Sequence, residues 1–204
     1  MSRFISQQPL ILASASKSRM MLLSSLGLTF EVIPANCDES LIKKNFPISG
    51  SLLDMASLIA CSKALEVSQH YPDPFVIAAD QLCVIGDKYL DKPLTHTTAF
   101  SHLRLLSGKT HQQIAALCIA KGGQIVWQHH DIATLTMQEL SEETIEAYLQ
   151  TVKPYQSCGA YHYEGLAKWL FKEVQGSDST IQGLPLLPLA QALIELKAIN
   201  WIKP

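Results

Sequence analysis

The stretch VIAADQLCVIGDKYLDKP, Val76 to Pro93, decides how this chain is read. VIAAD is an apolar, β-prone run closed by a carboxylate, which predicts a central strand with Asp80 at its end. LCVI continues that strand or pairs beside it, and Gly86-Asp87 turns the chain back. Asp91-Lys92-Pro93 then sets a lysine in a turn. An acid at a strand end is ordinarily just solvated. Open α/β sheets, however, place their ligands at the carboxyl ends of strands.

Working outward, PLILAS (Pro9 to Ser14) reads as a short strand running into a polar loop. SRMMLLSSLG carries apolar residues at helical spacing and stops at Gly27, with Ser16 or Ser18 as the cap. FEVIPAN (Phe30 to Asn36) predicts a strand and Ser51 to Gln69 a long helix with Lys63 near its middle. Thr97 to Ser107 predicts a helix ended by Gly108. Two extended stretches then meet at Gly122-Gly123, a hairpin signal. Ser141 caps a helix over Thr144 to Gln150, with Glu142 and Glu143 suited to the positive end of its dipole. WLFKEVQG reads as a strand, and a last helix runs from about Pro188 to Lys197. Helices and strands interleave, so the class is α/β. A soft division near residues 107 to 110 has no linker-like composition, and the whole chain, 1–204, reads as a single domain.

The 204 residues suffice for a core that needs no staples. Hydrophobic content of 48% against 17% charged residues excludes a disordered chain. A net charge of −2, with no basic stripe, argues against nucleic acid or an anionic membrane as partner. Five scattered cysteines with no CxxC pair argue against a disulfide framework or a structural zinc, and fit reduced thiols in the cytoplasm. The apolar run near the N-terminus is too brief to span a bilayer and lacks the long core of a secretory signal.

Four polar clusters sit at the ends of apolar elements. Ser14-Ala15-Ser16-Lys17-Ser18-Arg19 lies between strand and helix, where free backbone N–H groups favour an anion such as phosphate. Its plain reading is a serine-rich capped loop. Cys37-Asp38-Glu39-Ser40 follows the second strand, Asp80 precedes Gln81, and Lys63 and Lys92 stand in a helix and a turn. A mid-helix lysine is normally exposed. Taken together, Glu39 and Asp80 offer oxygen ligands to a hard divalent cation, while Lys63, Lys92 and Arg19 could neutralise a polyphosphate. That combination suits cleavage of a phosphoanhydride. His129-His130 point to opposite faces of a strand and read as surface residues, while Trp127, Trp169 and Phe171 read as core or lobe-interface residues. Cys83 and Cys158 read as buried and inert. His111, in SGKTH, reads as orienting a backbone or phosphate group.

At these residues the sequence resembles the Maf family of nucleoside triphosphate pyrophosphatases. The resemblance rests on the order and spacing of LILASASKSR, FEVIPANCDES, SLIACSKALEV, VIAADQLCVIGDKYLDKP, LLSGKTH, CGAYHYEG and IQGLPLLPL, from Leu10 to about Leu196. It implies an elongated two-lobed α/β fold with a central mixed sheet and a cleft between lobes. It also implies hydrolysis of a nucleoside triphosphate to monophosphate and pyrophosphate with a divalent cation, Mg2+ or Mn2+. The family is linked to removal of modified nucleotides and to arrest of septum formation, and its members often form homodimers. By the same resemblance, Asp80 is the proton acceptor and forms the metal site with Glu39. Ser14, Ser16 and Arg19 belong to the phosphate loop, Lys63 and Lys92 contact phosphates, and Gln81 and Glu164 read the base.

The chain departs from the family pattern in several places. The common SxSPRR loop has Lys17 for proline and Ser18 for the first arginine, and Ser157 stands where a lysine is common. The Gln81/Glu164 pair resembles the branch acting on 7-methylguanosine triphosphate, although that branch usually has tryptophan where this chain has Ser18. The altered loop keeps a second reading open: a nucleotide-binding regulator of cell division with weak turnover.

Overall fold

The computed structural model describes residues 5–47 and 49–202. In order, β1 (Ile5–Gln7), β2 (Leu10–Leu12), α1 (Lys17–Ser25), β3 (Glu31–Val32), α2 (Glu39–Asn45) and α3 (Leu52–His70) lead to the long β4 (Phe75–Ile85). Then follow β5 (Lys88–Leu90), α4 (His96–Leu106), β6 (Thr110–Lys121), β7 (Gln124–Met137), α5 (Glu142–Val152), β8 (Phe171–Gln175), α6 (Asp178–Ile181), α7 (Leu186–Glu195) and β9 (Ile199–Trp201). The main sheet has the order β3-β2-β4-β6-β7-β8, with β5 paired to β4, and β1 pairs with β9 apart from it. It is a mixed sheet: β2 runs parallel to β3 and β4, while β5 is antiparallel to β4 and β8 to β7.

Local chemistry explains most boundaries. Ser16, Ser51 and Ser141 occupy the N-caps of α1, α3 and α5, each hydroxyl accepting from the backbone N–H three residues on. Gly122 and Gly123, at φ 58° and 72°, supply the left-handed pair that a two-residue hairpin needs between β6 and β7. The predicted strand over Phe30 to Asn36 shrinks to Glu31–Val32, and the strand predicted in WLFKEVQG starts only at Phe171. In the second case Leu166–Leu170 forms a 3-10 turn that places Ala167 and Leu170 inward. Trp169 therefore lands outward, 82% exposed, contrary to its reading as a core or lobe-interface residue.

The chain forms two compact units, with β4, β6 and β7 each passing from one into the other. The first comprises residues up to Asp80, Ala115–Asp131 and Gly183 onward; the second comprises Gln81–Ile114 and Ile132–Gln182. The core of the first gathers Leu10, Leu12, Leu23, Ile77, Leu117, Ile119 and Leu189. That of the second gathers Leu103, Leu106, Leu135, Met137, Leu149 and Tyr161. All five cysteines are free thiols, as expected. Cys61, Cys83 and Cys118 are buried, whereas Cys158 is half-buried.

Inside the second unit, three buried polar side chains meet. The Tyr161 hydroxyl lies 2.8 Å from His111 Nε2 and accepts from Gln113 Nε2 at 2.6 Å. His111 is thus an internal brace for a tyrosine, not a partner of backbone or phosphate. Its ring also stands edge-on to Tyr161, with centroids 5.7 Å apart. Burial pushes the His111 imidazole down from 6.5 to about 4. The unfolded chain therefore takes up a proton as pH falls through 6.5, and the folded chain takes it up only near 4. The stabilising contribution is complete above pH 6.5 and is lost towards pH 4, on the order of 3 kcal/mol. Urea unfolding of His111→Gln is expected to show lower stability at pH 7 but a shallower decline over that window. Parallel declines for both proteins would refute the assignment.

Candidate functional site

The site begins with a packing problem. Phe75 to Asp80 are all buried, because β4 lies inside the sheet and is covered on both faces. Asp80 is the sixth residue of this eleven-residue strand, so LCVI continues the strand, one of the two courses its sequence allowed, and the acid lies in its middle. A carboxylate 5% exposed in such a setting requires a partner. The partner comes from α3. Its buried stripe runs Ala56, Ile59, Ala60, Lys63, Ala64, Val67, so the lysine occupies an apolar position of the helix and points inward. Lys63 Nζ donates to Asp80 Oδ1 at 2.8 Å and lies 2.9 Å from Glu39 Oε1.

Glu39 enters from the first turn of α2, where Asp38 caps the helix by accepting from the Leu41 N–H. An acid there also suits the helix dipole. The two ends of the bridge differ: the Asp80 side chain is 8% exposed and that of Glu39 41%. Water therefore screens the Glu39 contact more than the Asp80 contact. Cys37 lies beside this cluster; partial burial raises its thiol pKa, the Lys63 ammonium opposes the rise, and Glu39, Glu66 and Asp80 add to it.

The loop before α1 packs against the same strand. Arg19 is buried, and its Nη1 donates to the Ala79 carbonyl at 2.8 Å and to Ser14 Oγ at 3.3 Å. Its Nε donates to the Gly183 carbonyl at 3.0 Å. Ser14 Oγ also accepts from the Ser16 N–H, and Ser16 Oγ caps α1 by accepting from the Arg19 N–H at 3.4 Å. The side chain expected to meet phosphate is thus anchored on protein carbonyls, one of them adjacent to Asp80. Lys17 is exposed at the first residue of the helix.

Six of the expected site residues, Ser14, Ser16, Arg19, Glu39, Lys63 and Asp80, belong to the first unit. Gln81, Lys92 and Glu164 belong to the second. Gln81 follows Asp80 on β4 and donates to the Ile181 carbonyl. Lys92 and Glu164 are exposed. The burial of Lys63 was missed by the reading from sequence, although its place on the Ala56–Val67 stripe was there to be seen.

Among the described residues no group of three or more His, Cys, Asp or Glu could hold a metal ion. Glu39 and Asp80 nevertheless fit a hard cation that completes its shell with substrate. Carboxylates that share one ammonium have oxygens no farther apart than its two contacts combined. Magnesium commonly takes one or two protein carboxylates, with phosphate oxygens and water filling the rest. Among the described residues no helix is long and apolar enough to cross a membrane.

This mixed α/β sheet and its carboxylate–lysine–carboxylate cluster occur in a chain whose residues 9–196 match the family model for Maf-like proteins; the chain belongs to that family. A nucleoside triphosphate pyrophosphatase of Legionella pneumophila (strain Corby) is 61% identical over 200 residues, 98% of this chain and 100% of the relative. A 7-methyl-GTP pyrophosphatase of Rhizobium etli is 40% identical over 194 residues, 94% of this chain and 98% of the relative. Among solved structures, the Ham1 protein of Staphylococcus aureus aligns with 93% of this chain and 100% of its own at 13% identity, with a TM-score of 0.47.

The bridge makes a stability prediction. Lys63→Met leaves two carboxylates facing each other beside the core and is expected to cost on the order of 3 kcal/mol at pH 7. Adding Glu39→Gln should recover part of that loss, because it removes one of the two like charges. Chemical denaturation of the two single variants and the double variant measures the coupling. Strictly additive effects would mean that the three groups do not act as one cluster.

Proposed function

We propose that this chain is a nucleoside triphosphate pyrophosphatase, a single Maf-like domain working in the cytoplasm on a soluble nucleotide. It cleaves the bond between the α and β phosphates, adding water to the α phosphorus and releasing pyrophosphate. The observation that carries this reading is Lys63 bridging Glu39 and Asp80 at a buried strand position. The 61% identical Legionella relative supports the same activity.

In this reading Asp80 takes the proton of the attacking water. Its position on β4, fixed by Lys63, keeps reorganisation small during the reaction. Glu39 and Asp80 would hold Mg2+ or Mn2+, and a cation there would supply the charge that polarises the phosphoryl group and offsets the negative charge on the departing pyrophosphate. Ser14, Ser16 and the first N–H groups of α1 meet phosphate oxygens, and Arg19 holds that loop in place while contributing positive charge. Lys63 and Lys92 balance the remaining negative charge. Gln81 and Glu164 read the base; a carboxylate and an amide together suit a guanine edge, whose N1–H and exocyclic amine are donors.

Asp80→Asn is expected to lower pyrophosphate release by about 100-fold or more, the low end for loss of a general base, with an unchanged circular dichroism spectrum. Near-normal turnover in that variant would reject the role. Tight nucleotide binding by the wild type without pyrophosphate release, at saturating metal, would favour the regulator reading instead. Glu164→Gln should alter the ranking of a panel of canonical and methylated triphosphates more than the dependence on metal concentration. Superimposable rankings would remove Glu164 from base recognition.

A further inference from the structure

The second carboxylate of the site, Glu39, is carried by α2, and no residue of that helix is buried. Core packing by itself therefore does not fix where Glu39 stands. Polar contacts with α3 supply what packing lacks. Lys63 Nζ lies 2.9 Å from the Glu39 carboxylate. About one turn further along α3, Glu66 Oε2 accepts from the Asn36 backbone N–H at 3.1 Å. Residues three apart share a helix face, so α3 presents a cation and an acid side by side to the chain that enters α2.

Cys37 and Asp38 lie between the two contacts, and both are already committed. The Cys37 carbonyl accepts from the Glu39 N–H at 3.1 Å, and Asp38 caps α2. Upstream, the Ile33 N–H donates to the Leu12 carbonyl of β2 at 3.1 Å. The chain from Ile33 to Glu39 is thus held on the sheet at Ile33, on Glu66 at Asn36 and on Lys63 at Glu39. The Cys37 thiol is within electrostatic reach of Lys63, Glu39, Glu66 and Asp80 alike, so Glu66 stands close to the charged cluster. The plain alternative is a surface ion pair, since His70 Nδ1 lies 3.9 Å from Glu66 Oε1. That nitrogen, however, is 2.8 Å from the Glu66 carbonyl and is committed to helix backbone, which leaves the carboxylate to Asn36.

We propose that Glu66 is a positioning residue: by accepting from the Asn36 N–H it holds the segment ending in Glu39 against α3, and so presents the Glu39 carboxylate to a divalent cation. This rests on the pyrophosphatase reading and deepens it, because Glu66 acts through the backbone of Asn36 and not on the reacting atoms. Groups that orient a ligating side chain count heavily in metal affinity, and their loss commonly costs about 10- to 100-fold. Without the Asn36 bond, Glu39 keeps its charge and its lysine, but its half-exposed carboxylate is free to turn towards water.

The test uses the full chain as wild type, Glu66→Ala, Glu66→Gln and His70→Ala. The Glu66 side chain is 31% exposed, so its truncation leaves the core intact. Exchange of the Asn36 amide, read by NMR on the metal-free protein, should be on the order of tenfold faster in Glu66→Ala, as for loss of a bond to a charged acceptor. It should stay near the wild-type rate in Glu66→Gln, whose amide oxygen still accepts. The Mn2+ concentration for half-maximal pyrophosphate release should rise about tenfold or more in Glu66→Ala, with kcat at saturating Mn2+ changed far less. Glu66→Gln should restore most of that loss, and His70→Ala should match the wild type in both measurements. Because glutamine lacks the charge, a defect that Glu66→Gln shares in full assigns the effect to charge near the cluster and overturns the proposal. An unchanged Asn36 exchange rate or an unchanged Mn2+ requirement in Glu66→Ala overturns it as well. A wild type that releases no pyrophosphate from any triphosphate overturns the activity instead, and Asn36 exchange, with Mn2+ binding followed by electron paramagnetic resonance, still decides Glu66.

Discussion

A single ammonium group joins a carboxylate buried in the sheet to a second that stands 41% exposed. Lys63 reaches Asp80 at 2.8 Å and Glu39 at 2.9 Å, and the rest of the first unit is arranged so that it can. α3 must lie over β4 with its apolar stripe inward, and β4 must continue past Asp80 without a break. α2 must start close enough for its first residue to reach Lys63. A cluster of this kind is a poor way to gain stability. Desolvation of buried charges offsets much of their mutual attraction, and apolar replacements of similar volume are often as stable. Its presence beside a largely apolar core therefore supports the chemistry proposed for it more than a role in folding.

The loop before α1 follows the same logic at smaller cost. Arg19 could have projected into water; instead its donors close on the carbonyls of Ala79 and Gly183 and on the Ser14 hydroxyl. These bonds tie the helix start to the residue beside Asp80. Positive charge is thereby held on a rigid support, the condition under which electrostatic stabilisation is most effective. The second unit has its own buried polar group, Tyr161 between His111 and Gln113, which fixes the start of the segment that continues to Glu164 and Trp169.

Much of the fold was legible in the chain because the signals were local. Serine before an apolar-periodic run marked two helix starts, and Gly122-Gly123 marked the hairpin, since each depends on backbone geometry within a few residues. The helix over Ser51 to Gln69 and the apolar β4 were visible as periodicity and as a continuous run. Errors arose where a residue's setting depends on distant segments. The sequence left open whether LCVI continues the strand past Asp80, because an acid inside a buried strand is unfavourable alone and its compensation lies seventeen positions earlier on another element. Trp169 looked like core or lobe interface because indoles usually are, and a short 3-10 turn rotated it outward.

The amino-acid order by itself determined the helix caps, the hairpin turn, the α/β alternation and the family, all carried by short-range backbone preferences and by motifs at set spacing. Tertiary structure alone decided that Lys63 is buried between two acids and that Arg19 is spent on carbonyls. It also decided that the indole of Trp169 is left to solvent. Whether a charge is paired or hydrated depends on which segments exclude water around it, and that is a property of packing in three dimensions.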